Sequence, residues 1–588
     1  MLRAELDAKF SGGARRMDVR YQTGHSMTAG GALLARLKAV GVDYIFANSG
    51  TDFPPIIEGL AEAKANGIAL PEALVIPHES AAVAMAHGYY LASGRPQAVM
   101  AHTNVGLANC AMGAINAAAE QIPMLLLSGR TPTLEKGRFG ARTVPIGWGQ
   151  EMRDQHALVR EASKWDYELR FPEQIPDVID RAFAIASSTP RGPVYVSVPR
   201  EVLCEVVEYE GLTAPSRVAA SVSALDLDGV SELAKAIHAA QRPLFVAQRG
   251  AGTQQGFAAL DRIACNWAIP VSQYWAVQLA LATDHPFSTG DEIAPWIEEA
   301  DLIVVLDCLA PWSPAIHEPK ADCRIFQVGA DPLYERFPYR NFPSDRTITS
   351  ELGPFLVALE KALEEFGVEG NRNVDGRRED VQERCRTRRK KVLSRAETGQ
   401  NSGITKDHVS LCLSRAVQGH EVSILSELGC LMETVTLNGH GSWFQEPHSG
   451  GLGWSFPAAL GIKLAKPDRL VVATMGDGSY MFANPVACHQ IAEALGLSIV
   501  VVVVNNSEWG AVRQSVANLY PEGYAAQANI MPLTSLGPTP DFTMIAQASR
   551  AFAQRVDRAD DLPAALEAAV THVSANKGLA LVEVSVIP

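Results

Sequence analysis

No C-x-x-C pair occurs in this sequence, and its nine cysteines are scattered singly. That excludes a disulfide framework or a zinc knuckle and points to a reducing compartment. Long apolar runs are missing too. The longest strongly apolar stretch, LSIVVVVV at Leu497–Val504, is far below the roughly 20 residues that a membrane-spanning helix needs. The opening residues, MLRAELDAKFSGGARRMDVRYQTGHS, lack the apolar core of a secretory signal, and Glu5, Asp7 and Asp18 weigh against a transit peptide. Residues 1–26 therefore read as a frayed leader of a cytoplasmic protein. Nor is there an excess of positive charge: the formal net charge of −14 excludes a general affinity for nucleic acid or an anionic membrane. No short internal repeat is visible, which excludes solenoids and propellers.

What is present is a chain of 588 residues, 47% hydrophobic and 20% charged, enough for about three to four domains with large cores. Short β-rich runs alternate with helical patterns: YIFANSG, QAVMAHTN, PMLLLSG and PVYVSVP read as buried strands, with Ala-rich helices after Ser80 and Asn109. PLFVAQ, LIVVLD and RIFQVG follow in a second unit, and VSILSE, LVVATMGD, SIVVVVVNN and LALVEVSV in a third. The alternation predicts an α/β protein of three doubly wound parallel sheets flanked by helices. The expected units are residues 27–200, 222–366 and 403–588. The charged stretch at 367–402 reads as a solvated linking helix, because acidic residues are mixed into its basic cluster.

The stretch GDGSYMFANPVACHQIAEALGLSIVVVVVNN, Gly476–Asn506, carries the first functional signal. LVVATM is a strand and GDGS the turn after it. NPVACHQIAEALG is a helix with Gly496 near its C-terminal cap, and SIVVVVV is the next strand. If that helix joins adjacent parallel strands, Asp477 and the Asn505–Asn506 pair meet at the carboxyl edge of the sheet, where ligands of open α/β sheets bind. Asp, Asn and a backbone carbonyl are hard oxygen donors suited to Mg²⁺ or Ca²⁺. Ser479 and the helix N-terminus suit phosphate.

This pattern of GDG, a helix, a strand and NN resembles the signature of thiamine diphosphate (ThDP) enzymes. The resemblance covers nearly the whole chain and implies a pyrimidine domain, a central domain and a diphosphate domain. It implies a metal ion, Mg²⁺, held by Asp477, Asn506 and the carbonyl of Glu508. Cofactor contacts are implied at Glu427, Gly429, Cys430, Gly451, Gly476, Gly478 and Ser479. Such an enzyme also needs a glutamate that favours the imino tautomer of the cofactor's aminopyrimidine. VIPHESAAVAMAHGYYLASG supplies Glu79 for it, after a strand and at the start of an Ala-rich helix. Leu452, in HSGGLGWSFPAALG, takes the place of the apolar wedge beneath the cofactor.

Three stretches are most similar to benzoylformate decarboxylase: GGLGWSFPAALG, NNSEWGAVR and AVMAHTNVGLANCAMGAINAA. The last places His102 at that family's active-site histidine, and FANSGTDFPPI places Thr51 at its substrate-contacting serine. A histidine there can return a proton after CO₂ leaves. Two features depart from it. The central stretch VVLDCLAPWSPAIHEP has no histidine at the family's offset, only Trp312 and the later His317. WGQEMRDQ resembles the Gln-Glu segment of acetolactate synthases and makes Gln150 a candidate, as in benzaldehyde lyases. The resemblance thus implies decarboxylation of a bulky or aryl 2-oxo acid through an enamine, or carboligation of the same enamine with a second carbonyl. A non-catalytic binding subunit is disfavoured by the joint presence of Glu79, Asp477 and Asn506. No flavin signature is found between Arg200 and Asn371. A homodimer or homotetramer is implied, with Glu79 of one subunit meeting the diphosphate domain of another. Ala511 and Ser515, small and four apart on one helix face, predict a roomy substrate pocket, and Trp509 and Trp454 are candidate apolar walls.

Overall fold

The computed structural model describes residues 26–208, 211–400 and 403–587, so the leader expected at residues 1–26 lies outside the described residues apart from Ser26. Three six-stranded sheets, parallel throughout, dominate the molecule. The first contains Tyr44–Ala47 (β1), Glu72–Val75 (β2), Ala98–Ala101 (β3), Leu125–Arg130 (β4), Asp166–Glu168 (β5) and Val194–Pro199 (β6), in the order β2-β1-β3-β4-β6-β5. The second contains Pro243–Ala247 (β7), Val271–Ser272 (β8), Ser288–Gly290 (β9), Leu302–Leu306 (β10), Arg324–Gly329 (β11) and Arg346–Thr349 (β12), in the order β9-β8-β7-β10-β11-β12. The third contains Val422–Glu427 (β13), Trp443–Gln445 (β14), Leu470–Gly476 (β15), Val500–Asn505 (β16), Phe552–Val556 (β17) and Ala580–Ser585 (β18), in the order β14-β13-β15-β16-β18-β17. The outer two sheets therefore share one topology, and the middle one has the order of dinucleotide-binding folds. Central strands such as β6, β10 and β16 are buried along their whole length, as continuous runs of Val and Leu require in parallel sheets covered on both faces. Edge strands such as β2 and β5 have no such run and show partly exposed residues, so their sequence carries little strand signal.

Eight helices position the chemistry: Glu79–Ser93 (α1), Thr103–Ala119 (α2), Arg372–Thr398 (α3), Lys406–Ala416 (α4), Ser455–Ala465 (α5), Asp477–Phe482 (α6), Pro485–Ala494 (α7) and Gly510–Leu519 (α8). The GDGS segment, expected as a turn, is instead the first turn of α6, with Gly476 as its N-cap. Asn484 then adopts a left-handed conformation (φ 53°) and Pro485 opens α7, so two helices make the crossover where one was expected.

The first and third domains pack through α1 and α5. Gly88 faces the Ala458 carbonyl and Gly461 faces the Met85 carbonyl so closely that a Cβ at either glycine would overlap backbone. Their side chains share one apolar core, including Met85, Tyr89, Phe456 and Leu460. Helix α3, between the central and third domains, keeps much of its surface exposed, but several of its basic residues are docked inward. Arg377 is buried and donates to the carbonyls of Ala240 at 2.8 Å, Trp267 at 2.6 Å and Ala268 at 3.1 Å. Arg388 pairs with Asp291 at 2.9 Å and also reaches Glu433. The basic residues thus strap the central domain to the third. No described helix is long and apolar enough to cross a membrane, and the nine cysteines are unbridged.

Candidate active site

Two clusters of polar side chains lie at carboxyl edges of the outer sheets. In the first domain, β3 delivers His102, which caps the N-terminus of α2. The turn after β1 delivers Asp52, a buried residue that sequence reasoning missed. Asp52 Oδ1 lies 2.5 Å from His102 Nδ1, and its Oδ2 accepts from the Thr103 amide at 3.2 Å. Two glycines make room: a Cβ at Gly50 would overlap the His102 ring, and one at Gly129 would overlap Asp52. On the other side of the ring, the Gln150 side-chain amide lies 3.0 Å from His102 Nε2. The hydrogen bond to Asp52 and the nearby charges of Asp52 and Glu79 outweigh partial burial and raise the imidazole pKa above 6.5. A glutamine amide suits both charge states, donating to neutral Nε2 and, turned over, accepting from the imidazolium. Thr51, the expected hydroxyl, is exposed, and its carbonyl accepts weakly from Arg200 at 3.4 Å. The residue of this loop that touches His102 is therefore Asp52, one position later; the turn rotates successive side chains to different sides, which loop similarity cannot reveal.

Glu79 begins α1 and is buried. Asn48 donates to its Oε1 and Asn109 to its Oε2, each at 3.0 Å. Both asparagines were missed in the sequence. Gly106 lies beside the same carboxylate: a Cβ there would stand 2.8 Å from Oε1. Each carboxylate oxygen keeps acceptor capacity for one further donor.

In the third domain, β13, β15 and β16 are adjacent, with Gly476 in register with Val504. This brings Asp477, Asn505 and Asn506 to one edge. Asp477 is 2% exposed; its Oδ1 accepts from the Gly478 amide at 3.0 Å, whereas its Oδ2 has no hydrogen-bond partner. Burial raises its pKa. An unpartnered buried carboxylate oxygen is costly and suits a bound cation. Asn506 Oδ1 accepts from the Glu508 amide at 3.1 Å, which folds the chain into a tight turn. The Glu508 side chain turns away to Arg513 in a two-point ion pair at 2.5 and 2.7 Å. Asn505 is structural: it donates to Glu583 at 2.8 Å. Gly478 faces the Trp509 ring so closely that a Cβ would overlap it, while the space beside Gly476 is open.

Other expected contacts turn out to support this edge. Glu427 is fully buried and accepts from the amides of Gly453 at 2.5 Å and Ser455 at 2.8 Å, so both oxygens hold the loop that leads into α5. Buried Ser479 lies next to it. Gly429 passes so close to Thr474 and Met475 that no side chain fits. The Cys430 amide donates to Ser426 and Thr474 hydroxyls, each at 3.2 Å. Asn116 of the first domain holds Gly451 through two hydrogen bonds, at 2.9 and 3.2 Å, and so positions the half-buried Leu452. Trp454 is core, packed edge-on against His87 at 5.3 Å. Trp312 is likewise core, against Phe342, and His317 accepts from the Ser313 amide at 3.2 Å. Within the chain, no hydrogen bond among the described residues joins Glu79 to Asp477, Ser479 or Asn506.

One further group of metal-ligand types, Asp261, Cys265 and His285, sits in the central domain. His285 Nδ1 accepts from the Phe287 amide at 3.2 Å, so Nε2 carries the proton and faces Cys265 at 3.3 Å. That is a hydrogen-bonded cluster rather than a coordination site.

Residues 27–158 match the family described as "Thiamine pyrophosphate enzyme, N-terminal TPP binding domain", and residues 428–584 match its "C-terminal TPP binding domain". The chain belongs to the thiamine diphosphate-dependent enzymes. The two matches take in the Asp52–His102–Glu79 cluster and the Asp477–Asn506 edge respectively. Among curated relatives, the probable 2-ketoarginine decarboxylase AruI of Pseudomonas aeruginosa is 26% identical over 92% of both chains. The mitochondrial acetolactate synthase catalytic subunit of Saccharomyces cerevisiae is 24% identical over 95% of this chain and 81% of its own. The Rhodococcus jostii RHA1 4-hydroxybenzoylformate decarboxylase superposes with a TM-score of 0.76 at 21% identity, over 95% of this chain and 99% of that one. These relatives thus include decarboxylases and an acetolactate synthase.

Proposed function

We infer that the protein decarboxylates a bulky 2-oxo acid and that His102 returns the proton to the carbon that the carboxylate vacates. The observation that supports this reading is the Asp52–His102 contact, which keeps an imidazolium available near neutral pH. Bound ThDP would supply the nucleophilic carbon and the electron sink. Asp477 and Asn506, with the Glu508 carbonyl, would hold Mg²⁺ against its diphosphate; the unpartnered Asp477 Oδ2 fits that role. Glu79 would hold the pyrimidine ring, with Asn48 and Asn109 fixing its carboxylate. Because Glu79 makes no contact with the diphosphate edge of its own chain, we assign the complete site to a homodimer or a larger assembly. The unbridged cysteines suit a cytoplasmic protein.

Substrate size follows from α8. Ala511 and Ser515 are small and exposed on its surface, so an aryl or branched 2-oxo acid should fit. The test is CO₂ and aldehyde release from benzoylformate, 2-oxoisocaproate, 2-oxo-5-guanidinovalerate and pyruvate. The expected result is a higher kcat/KM for a bulky acid than for pyruvate, with Ser515→Phe reversing the order. A strong wild-type preference for pyruvate would overturn the pocket reading.

One observation favours a second outcome. Gln150 covers His102 Nε2, and an amide at this position can orient an acceptor carbonyl. Carboligation would appear in the same assay as a hydroxyketone formed, in place of free aldehyde, when a second aldehyde is supplied.

A further inference from the structure

Helix α4 starts with a lysine where a helix least favours one. Lys406 follows the N-cap Thr405, in the first turn, where the helix dipole opposes positive charge. The same turn is pinned to the edge of the third sheet: one turn along, Ser410 Oγ accepts from the Leu431 amide at 2.9 Å, in the loop that follows β13. Lys406, one turn earlier on the same helix, is thereby held within electrostatic range of Cys430, Glu446 and Asp477.

Its ammonium is nevertheless left without a direct partner. Among the described residues no ion pair or hydrogen bond takes its Nζ. Asp407, the adjoining acid, is paired with Arg395 at 2.7 Å. Glu446 is engaged by Gln445, and burial beside Glu427 pushes its pKa up to about 7, so it is only partly charged near neutrality. Asp477 contributes the second unpartnered group, its buried Oδ2. A half-buried cation and a buried carboxylate oxygen, both without partners at one sheet edge, call for a ligand that is itself divided in charge. A divalent cation satisfies Asp477. The phosphate oxygens that such a cation brings satisfy Lys406. The violation of local helix preference is what a functional constraint produces.

We propose that Lys406 is a diphosphate-binding residue whose ammonium takes the terminal phosphate of the cofactor, beside the metal site of Asp477 and Asn506. The inference rests on the ThDP reading given above. It adds a side-chain cation at a position outside the GDG–NN signature.

Calorimetric titration of the metal-replete apoprotein tests it, with ThDP, thiamine monophosphate and thiamine as ligands. In Lys406→Gln the Kd for ThDP should rise by about tenfold or more, as loss of a charge-assisted hydrogen bond implies. The Kd for unphosphorylated thiamine should stay unchanged, and Lys406→Arg should recover most of the ThDP affinity. Unchanged ThDP affinity in Lys406→Gln, or equal loss for thiamine and ThDP, overturns the proposal. A wild type that binds no ThDP overturns instead the cofactor reading on which it rests. A second measurement needs no variant: inorganic pyrophosphate with Mg²⁺ should protect Lys406 from acetylation by acetic anhydride, read by mass spectrometry. Equal labelling with and without pyrophosphate counts against the lysine even if Lys406→Gln does not fold.

Discussion

Asp52 Oδ1 and His102 Nδ1 lie 2.5 Å apart, and the Gln150 amide lies 3.0 Å from the other ring nitrogen. The carboxylate therefore fixes the ring and favours its charged form, while Nε2 faces the Gln150 amide, which has to give way to a substrate before Nε2 can deliver its proton.

Asp52→Asn should remove that bias. The alkaline limb of the kcat profile should move to lower pH, and activity at pH 8 should fall by roughly 10²-fold, in the range of general acid effects. The His102 ring shift in NMR should titrate at lower pH in the variant. Because the folded pKa is raised above 6.5, the stability that this pair contributes is complete below that value. It is lost as pH rises through the folded pKa. The denaturation midpoints of wild type and variant should accordingly differ most in mild acid and converge in alkali. A pH-independent difference would show that Asp52 acts through packing alone.

Glu79→Gln should bind ThDP but exchange the C2 proton of the bound cofactor at least about 10²-fold more slowly, since an amide favours the required tautomer poorly. Quenched-flow deuterium exchange read by NMR measures this directly. Exchange at the wild-type rate would remove Glu79 from the proton path.

Asp477→Asn should have opposite effects on the apo and holo proteins. Without metal, replacing a buried, unpartnered carboxylate should stabilise the chain by about 1–3 kcal/mol. With excess ThDP and Mg²⁺, wild type should gain stability by mass action, about 2.7 kcal/mol at a hundredfold excess over Kd, and the variant should gain far less. Thermal melts of the four samples decide it. A variant stabilised by ligand as strongly as wild type would contradict the metal role.

Gly461→Val should loosen the seam between the first and third domains. Its Cβ would overlap the Met85 carbonyl, and overpacking of this kind costs about 1–3 kcal/mol. Because α1 carries Glu79 at its N-terminus, ThDP affinity should weaken together with the denaturation midpoint. A melting curve unchanged from wild type would show that α1 and α5 do not pack this closely in solution.

Several features were fixed by sequence alone because they depend on local pattern. Short valine-rich runs bounded by turn residues point to buried strands, because β-branching and length favour strand over helix. GDG followed by NN places oxygen donors after adjacent strands, whatever the rest of the chain does. The alternation of strands and helices specified three doubly wound units. Glu79 and His102 were likewise legible, because each follows a strand and opens a helix.

Tertiary structure decided which neighbours those residues meet. Asp52, and not its neighbour Thr51, meets His102 because the direction of a side chain in a turn depends on the backbone of the closed loop, where Gly50 and Gly129 clear the space. Asn48 and Asn109 reach Glu79 from different strands and helices, so no spacing in the sequence announces them. Glu427 turned inward because two loop amides needed an acceptor, and α3 became a strap because its arginines found buried carbonyls. Lys406 lies 71 residues before Asp477 in the chain, and only the packing of α4 on the loop after β13 brings the lysine to the edge that Asp477 occupies. Burial and charge pairing are properties of the folded surface, and local sequence pattern does not encode them.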